Sequence, residues 1–159
     1  MKRKIFYAFI ALTLVIGLTG CGKEKKESSN IAIICTSEKD NSTGIEIQNE
    51  STYNFDENQN VTSYSVVTTQ KFDDESLYKE YKTAQEETVK DSSDDVVYDL
   101  KSDDKEKTLV FTMTINNINV DDAETTEEKE NLKASSILES VEESGYTCKV
   151  EGIDRSKLK

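Results

Sequence analysis

The alternation of apolar and polar residues between positions 45 and 72 predicts a long β-hairpin. Residues 45–55 alternate with a period of two, which is typical of a half-buried antiparallel strand. Residues 61–72 are β-branched and rich in Thr and Ser, and the polar residues 56–60 form a turn between the two strands. One face of the first strand is expected to carry Ile45, Ile47, Asn49, Ser51, Tyr53 and Phe55.

Shorter apolar segments predict four further strands. Residues 31–37 form a β-branched run that is too short for a helix and is expected to be a buried strand. Residues 96–100 and 108–115 are expected to pair as a second hairpin across the polar turn 101–107. A last short strand is predicted at residues 146–150.

Two segments have the 3.6-residue periodicity of helices. The first is expected to begin after Asp73 or Asp74, either of which can cap it, and to end near Lys90. The second is predicted over Glu124–Ser144, with weak first turns, and Gly145 fits the C′ position that follows a helix. The apolar set of the first helix is Leu77, Tyr78, Tyr81, Ala84, Gln85, Thr88 and Val89, and that of the second is Leu132, Ile137, Leu138 and Val141.

These elements predict an α+β fold with the order β-ββ-α-ββ-α-β. Hairpins imply an antiparallel sheet, and two helices that are apolar on one side are expected to pack on one face of it. Residues 31–159 provide enough chain for one domain with its own core.

The N-terminus has the pattern of a bacterial lipoprotein signal. Three basic residues at positions 2–4 precede an uncharged run, residues 5–18, that is short for a bilayer span of roughly 20 residues. The sequence Leu18-Thr19-Gly20-Cys21 then matches a lipobox, in which small residues give a transferase access to the cysteine thiol. We expect residues 1–20 to be a signal peptide and Cys21 to carry a diacylglyceryl group, whose two chains suffice for stable anchoring. A short membrane anchor with an incidental cysteine is the alternative.

Residues 21–30 are expected to be a flexible tether. They are rich in Lys, Glu and Ser and contain no apolar residue large enough for a core. The folded domain is therefore expected to stand off the membrane and to be attached through the lipid on Cys21.

The charge of the chain excludes some classes of function. The sequence has 20 basic and 32 acidic residues, and removing residues 1–20 leaves 17 basic residues and a net charge of −15. Such acidity argues against nucleic acid as a partner, because nucleic-acid affinity comes from neutralised phosphates. Solubility accounts for the charge, with a cation-binding face as the alternative. The absence of histidine excludes Ser-His-Asp and Cys-His catalysis and imidazole zinc sites.

The remaining cysteines, Cys35 and Cys148, are an even pair in a domain that is expected to be exported. They lie in predicted strands at opposite ends of the domain, and antiparallel folds often bring terminal strands together. We expect them to form a disulfide. Two buried free thiols, which would pack as small apolar residues, are the alternative.

Other candidate sites have ordinary structural explanations. The segment DENQNVT (residues 56–62) matches the first half of a calcium loop, but Val61 and Val67 occupy the positions of the required Gly and Glu. A turn is therefore expected there, and no metal site or cofactor is predicted. The tyrosines of residues 31–159 are expected to be core and rim aromatics, with a sugar- or peptide-binding surface as the alternative. They are Tyr53, Tyr64, Tyr78, Tyr81, Tyr98 and Tyr146.

Three stretches resemble the YehR-like family of small bacterial lipoproteins. They are Cys21-Gly22-Lys23 of the lipobox region, NFDENQNVTSYSV (residues 54–66) and ESVEESGYTCKV (residues 139–150). Together with the ββαββα layout, the resemblance covers most of residues 21–150. It implies a lipoprotein with this layout, and it implies no catalytic residues, because the family has no assigned activity.

The sequence thus predicts an extracytoplasmic, monomeric protein, lipid-anchored to a bacterial cell membrane. No catalytic constellation is recognisable, so a non-enzymatic binding or envelope-interaction module is expected, with an envelope protein, peptide or glycan as its ligand. The alternative is a small carboxylate-dependent hydrolase that acts on cell-wall glycans. A deep cleft with two close acids, one of which has a raised pKa, would favour the hydrolase.

Overall fold

Six antiparallel strands form one sheet in the computed structural model, which describes residues 31–41 and 44–158. The predicted signal peptide, Cys21 and the tether lie outside the described residues. The strand order is β4-β5-β3-β2-β1-β6, so the first and last strands are neighbours. The α+β class with an antiparallel sheet is confirmed. The strands are β1 (Ile31–Thr36), β2 (Ile45–Phe55), β3 (Val61–Phe72), β4 (Val96–Asp103), β5 (Thr108–Ile115) and β6 (Thr147–Glu151).

Both predicted hairpins are present, and β4 is longer than expected. β2 pairs with β3, and β4 pairs with β5, each in antiparallel register. The polar residues 101–103 continue β4, because Asp103 pairs directly with Thr108 at the end of the hairpin. The Asp103 carboxylate accepts hydrogen bonds from the backbone N–H groups of Lys105 and Glu106, which holds the tight turn.

Within the described residues, three α-helices accompany the sheet: α1 (Glu75–Val89), α2 (Thr126–Asn131) and α3 (Ala134–Glu143). The prediction of one helix over Glu124–Ser144 was wrong. The chain leaves helical geometry between α2 and α3 to pair with the β2–β3 turn. There the backbone N–H of Val61 donates to the carbonyl of Leu132, and the N–H of Ala134 donates to the carbonyl of Gln59.

Gly145 ends α3 in the way the sequence predicts. Its φ of +86° lies in the left-handed region, where a residue without Cβ has no steric penalty. The N–H of Gly145 donates to the carbonyl of Glu142, and the N–H of Tyr146 donates to that of Val141. These two bonds form a Schellman motif, which turns the chain from α3 into β6.

The core consists of two clusters of buried side chains, and β3 contributes to both of them from the same face. α3 packs on one cluster, which includes Tyr64 and Val66 of β3, and α1 packs on the other, which includes Phe72. α2 contributes no buried residue. Because residues 64, 66 and 72 differ by even numbers, α1 and α3 meet side chains from the same face of the strand. Among the described residues, no helix has the length and apolar character needed to cross a bilayer.

Candidate functional site

A band of polar side chains lies on the helix-facing side of the sheet between the two core clusters. We call it the interhelical strip, and it consists of Asn49, Ser51, Thr68, Gln70 and Gln85. Asn49 of β2 lies opposite Thr68 of β3, and Ser51 and Gln70 follow on the same face. α1 packs on β3, β4 and β5, whereas α3 packs on β1 and β6, so the strip runs along the central strands between them.

The strip joins α1 to the sheet through a pair of carboxamides. Gln85 of α1 donates a hydrogen bond from Nε2 to Oε1 of Gln70, at 2.7 Å. Gln70 lies two residues along β3 from Thr68, and therefore diagonally across from Asn49. Diagonal neighbours in a sheet are about 7–8 Å apart, within reach of two long amide side chains. Gln70 therefore links the polar face of β3 to α1.

Two amide oxygens of the strip are buried without a protein donor. Within the described part of the chain, Oδ1 of Asn49 and Oε1 of Gln85 accept no hydrogen bond. Asn49 is only 9% exposed. An unsatisfied buried polar group costs about 1–3 kcal/mol, so each of these two oxygens lowers the stability of the fold.

Tyrosine hydroxyls extend the strip towards α3. The rings of Tyr53 and Tyr64 are 4.8 Å apart. Burial raises the pKa of Tyr53. Burial, together with the neighbouring Tyr53, also raises the pKa of Tyr64 far above its ordinary value. Both hydroxyls therefore stay protonated and neutral at physiological pH.

Aromatic rings flank the strip. Phe111 of β5 lies opposite Thr68, and its ring stacks on that of Tyr98 at 5.8 Å with a 26° angle between the planes. On the α1 side, the ring of Tyr81 lies 5.3 Å from that of Phe72 and is 36% exposed. Phe111 and Tyr98 are half-buried, so rings and polar groups meet at a surface that solvent reaches.

The predicted cysteine pair lies beside the strip. Cys35 of β1 lies opposite Cys148 of β6, and the two residues form a disulfide with Cα atoms 4.1 Å apart. Cys35 also lies opposite Ser51 on its other side. The N–H of Ser37 donates to the carbonyl of Asn49 on β2. In an antiparallel strand, every second residue directs its N–H and C=O groups to the same neighbouring strand. The N–H and C=O of Cys35 therefore also point to β2, and away from β6. The Cys35–Cys148 pair is therefore a non-hydrogen-bonded pair, the closer of the two antiparallel spacings.

The calcium-like segment is a turn, as predicted. Oδ1 of Asp56 accepts the backbone N–H groups of Asn58 and Asn60 at 2.9 and 2.8 Å, and Oδ2 accepts Nδ2 of Asn60 at 3.1 Å. The carboxylate thus bonds to N–H donors of its own turn. Within residues 31–41 and 44–158, no group of three or more His, Cys, Asp or Glu side chains is placed to bind a metal ion.

Glu50, whose carboxyl has a raised pKa, has no acid directly opposite it on either neighbouring strand. Burial raises the pKa of Glu50, while a hydrogen bond from Thr36 lowers it. Glu50 is on the sheet face opposite the helices, and its partners on the neighbouring strands are Thr36 and Val67. Neither partner is an acid, so the register supplies no carboxylate pair at this position.

The sequence analysis did not single out the strip, although it contained a signal. The alternation in β2 places Asn49 and Ser51 on the same face as the apolar residues of that strand, and Gln85 falls in the apolar set of α1. When two elements pack together and each has a polar residue on its apolar face, a buried polar region is indicated. Assigning Gln70 and Thr68 to the strip required the observed register of β2 and β3, which no local sequence pattern supplies.

Comparison with known proteins gives little information on function. No family model and no curated protein matches this chain. The NMR structure of a protein from Streptococcus pneumoniae TIGR4 is similar to it at 13% sequence identity and a TM-score of 0.49, over 86% of this chain and 94% of that chain. The name of that protein states no activity, ligand or partner.

Proposed function

We propose that this protein is a lipoprotein on the outer side of a bacterial cytoplasmic membrane, where its domain binds an envelope component. The lipobox ending at Cys21 is the observation that carries the proposal. It follows a basic segment and an apolar segment of signal-peptide length, and this order of features is what lipoprotein processing requires. The resemblance to the YehR-like family, which we retain as part of the proposal, supports the same location.

Two features of the domain support export and tethering. The Cys35–Cys148 disulfide suits an oxidising compartment outside the cytoplasm. β1 begins at Ile31, so the nine residues 22–30 separate it from Cys21. Nine residues can span about 30 Å at most when fully extended, which is long enough to hold an acidic domain off anionic headgroups.

The chemistry of the interhelical strip supports binding rather than catalysis. All five of its members are uncharged, and the neighbouring tyrosines have raised pKa values. A general acid or base works best with a pKa near the operating pH, and these groups do not supply one. Neutral donors and acceptors beside aromatic rings are typical of a recognition surface.

The anchor is tested by mass spectrometry of the protein from its native membrane. We expect the mature chain to begin at Cys21 with a diacylglyceryl thioether, and Cys21→Ala to release the protein from the membrane fraction. Gly22→Ala is the matched control and should stay attached. An unmodified Cys21 thiol, or unchanged attachment of Cys21→Ala, would refute the anchor.

The non-enzymatic role is tested with purified peptidoglycan and the mature protein. Crosslinking in intact cells should capture an envelope component, while peptidoglycan incubated with the protein should release no soluble fragments. Release of fragments that depends on one particular carboxylate would show that the hydrolase alternative is correct.

A further inference from the structure

We infer that Lys133 and Asn60 become joined by an isopeptide bond between the lysine amine and the asparagine side chain. The structure holds the two groups in contact, with Nζ of Lys133 2.6 Å from Oδ1 of Asn60. The side-chain carbonyl carbon of Asn60 therefore lies within about 3.8 Å of Nζ, because a C=O bond is about 1.23 Å long. Reacting atoms in a near-attack geometry are about 3–3.5 Å apart, so only a small movement of the lysine side chain is needed.

The backbone fixes the two residues opposite each other. Asn60 and Lys133 form an isolated antiparallel bridge. The residues directly before and after them exchange the backbone hydrogen bonds that interrupt the helical region between α2 and α3. Bonds that flank a pair in this way define a non-hydrogen-bonded pair, the spacing at which facing side chains are closest. Such fixed placement of two reactants can be equivalent to a concentration of about 10⁵–10⁸ M.

Asp56 supplies a carboxylate next to the reacting amide. Its Oδ2 accepts Nδ2 of Asn60 at 3.1 Å, so the carboxylate contacts the nitrogen that has to leave. The positive charge of Lys133 also acts on Asp56, which places the carboxylate near both nitrogen atoms. Two backbone N–H groups of the turn bond to Oδ1 and fix the orientation of the carboxylate. A nucleophile beside a group that can take its proton is the arrangement used in nucleophilic side-chain chemistry.

The reaction exchanges one amide for another. Nζ of Lys133, after losing one proton to water, attacks Cγ of Asn60, and the electron pair of the C=O bond moves to Oδ1. The Asp56 carboxylate takes a second proton from Nζ and passes it to Nδ2. The carbonyl then re-forms, the Cγ–Nδ2 bond breaks, and the ammonia that leaves takes up the first proton as ammonium. Since each chain reacts only once, a slow step is sufficient.

The position of the pair suits a crosslink. Asn60 lies in the turn between β2 and β3, and Lys133 directly precedes α3, 73 residues later. The Cys35–Cys148 bridge joins β1 to β6, whereas this bond joins the central hairpin to α3. A covalent link across a long loop constrains the unfolded chain, and an amide link also resists reductants.

The test is peptide mapping of the mature lipoprotein, purified from its membrane in detergent and kept for several days at mildly alkaline pH, which favours the neutral amine. Trypsin does not cleave after a lysine whose amine is acylated. The reduced protein should therefore release residues 40–71 joined to residues 130–149. The mass of this species should be that of the two peptides less one ammonia, and fragmentation should locate the link at Asn60 and Lys133.

Three variants and one control identify the reacting groups. Lys133→Arg and Asn60→Ala should contain no linked peptide, and Asp56→Asn should form it at least about tenfold more slowly. Lys129→Arg is the matched control, because Lys129 of α2 pairs with Asp121 and not with the asparagine. This control should react like the wild type.

Two results for the wild type would overturn the inference. Complete cleavage after Lys133, with no linked species, would show that the pair remains an ordinary hydrogen bond. Loss of ammonia confined to residues 40–71 would show an internal succinimide at Asn60 in place of the crosslink. An unchanged rate in Asp56→Asn would contradict the role of Asp56 as the proton carrier. The lipid anchor is read separately from the peptide that begins at Cys21, so none of these results affects it.

Discussion

The carboxylate of Asp56 organises the turn that joins β2 to β3. It accepts the backbone N–H groups of Asn58 and Asn60 and the side chain of Asn60. Lys133 donates to Oδ1 of Asn60 at 2.6 Å, so the turn is also tied to the start of α3. One acidic residue thus helps to position the chain where the predicted long helix is interrupted.

Replacing Asp56 with Asn should destabilise the protein in a pH-dependent way. Burial acts to raise the pKa of Asp56, but hydrogen bonds from Asn60 and Asn58 and the charge of Lys133 lower it below its ordinary value of 3.8. Because the folded pKa is the lower one, the stabilisation is present above pH 3.8 and disappears as the pH falls through the folded pKa. We expect Asp56→Asn to cost about 1–2 kcal/mol at pH 6.

Urea unfolding of wild type and Asp56→Asn at pH 6 and pH 2.5 measures this effect. The difference between the two proteins should shrink at pH 2.5, and taking that difference cancels the contribution of the other carboxylates. A difference of the same size at both pH values would contradict the role assigned to the ionised carboxylate.

The N-terminus of α1 shows how a structure decides between two neighbouring candidates. The sequence allowed either Asp73 or Asp74 to cap the helix. The structure assigns the cap to Asp74, whose Oδ1 accepts the N–H of Leu77 at 2.7 Å. Asp73 instead contributes its backbone carbonyl, which accepts from Nζ of Lys107.

Asp74→Ala should therefore lower the free energy of unfolding by about 1 kcal/mol, the usual value of an N-cap. Asp73→Ala, which removes the same charge one residue earlier, should change it by less than about 0.5 kcal/mol. Chemical denaturation of the two variants under the same conditions makes the comparison. Equal losses would mean that helix-dipole electrostatics, rather than the cap bond, stabilises this end.

Local patterns predicted the strands better than the last helical region. β2, β3 and β5 were predicted with the observed bounds, because alternation and turn residues act within one segment. The break between α2 and α3 depends on hydrogen bonds to residues 59–61, more than 70 positions earlier. Helical periodicity carries no information about such a partner, so the interruption could not be predicted.

For the candidate site too, local sequence patterns predicted some features, and others depend on residues far apart in the chain. Alternation already placed Asn49 on the core face, and helical spacing placed Gln85 among the apolar residues of α1. Their partners depend on tertiary structure: the β2–β3 register places Thr68 opposite Asn49, and a hydrogen bond joins Gln85 to Gln70. Sequence could therefore identify each polar residue as out of place, but it could not bring them together.

For the molecule as a whole, the disulfide-linked topology favours the compact state, whereas the net charge opposes it. The strand order brings β6 beside β1, so the first and last strands of the domain are neighbours at one edge of the sheet. A net charge of −15 on the mature chain favours expansion, because like charges repel one another in the compact state. The Cys35–Cys148 bridge links residues 113 positions apart and opposes that expansion.

Removing this bridge should cost about 2–4 kcal/mol, and up to about 4.7 kcal/mol in the chain-entropy model for a loop of this length. We expect the double variant Cys35→Ala/Cys148→Ala to show this loss in urea unfolding. Cys35 is fully buried, so the substitution also removes side-chain volume from the core. The wild type treated with dithiothreitol separates the two effects, because it loses the bond and keeps both sulfur atoms.

The reductant should lower the unfolding midpoint of the wild type and leave that of the double variant unchanged. Since the bridge constrains the unfolded chain, its loss should also expose more surface on unfolding and steepen the dependence on urea. A wild-type midpoint that is insensitive to the reductant would contradict a stabilising bridge. Alkylation of both Cys35 and Cys148 in unfolded, unreduced protein would show that the bridge does not form at all.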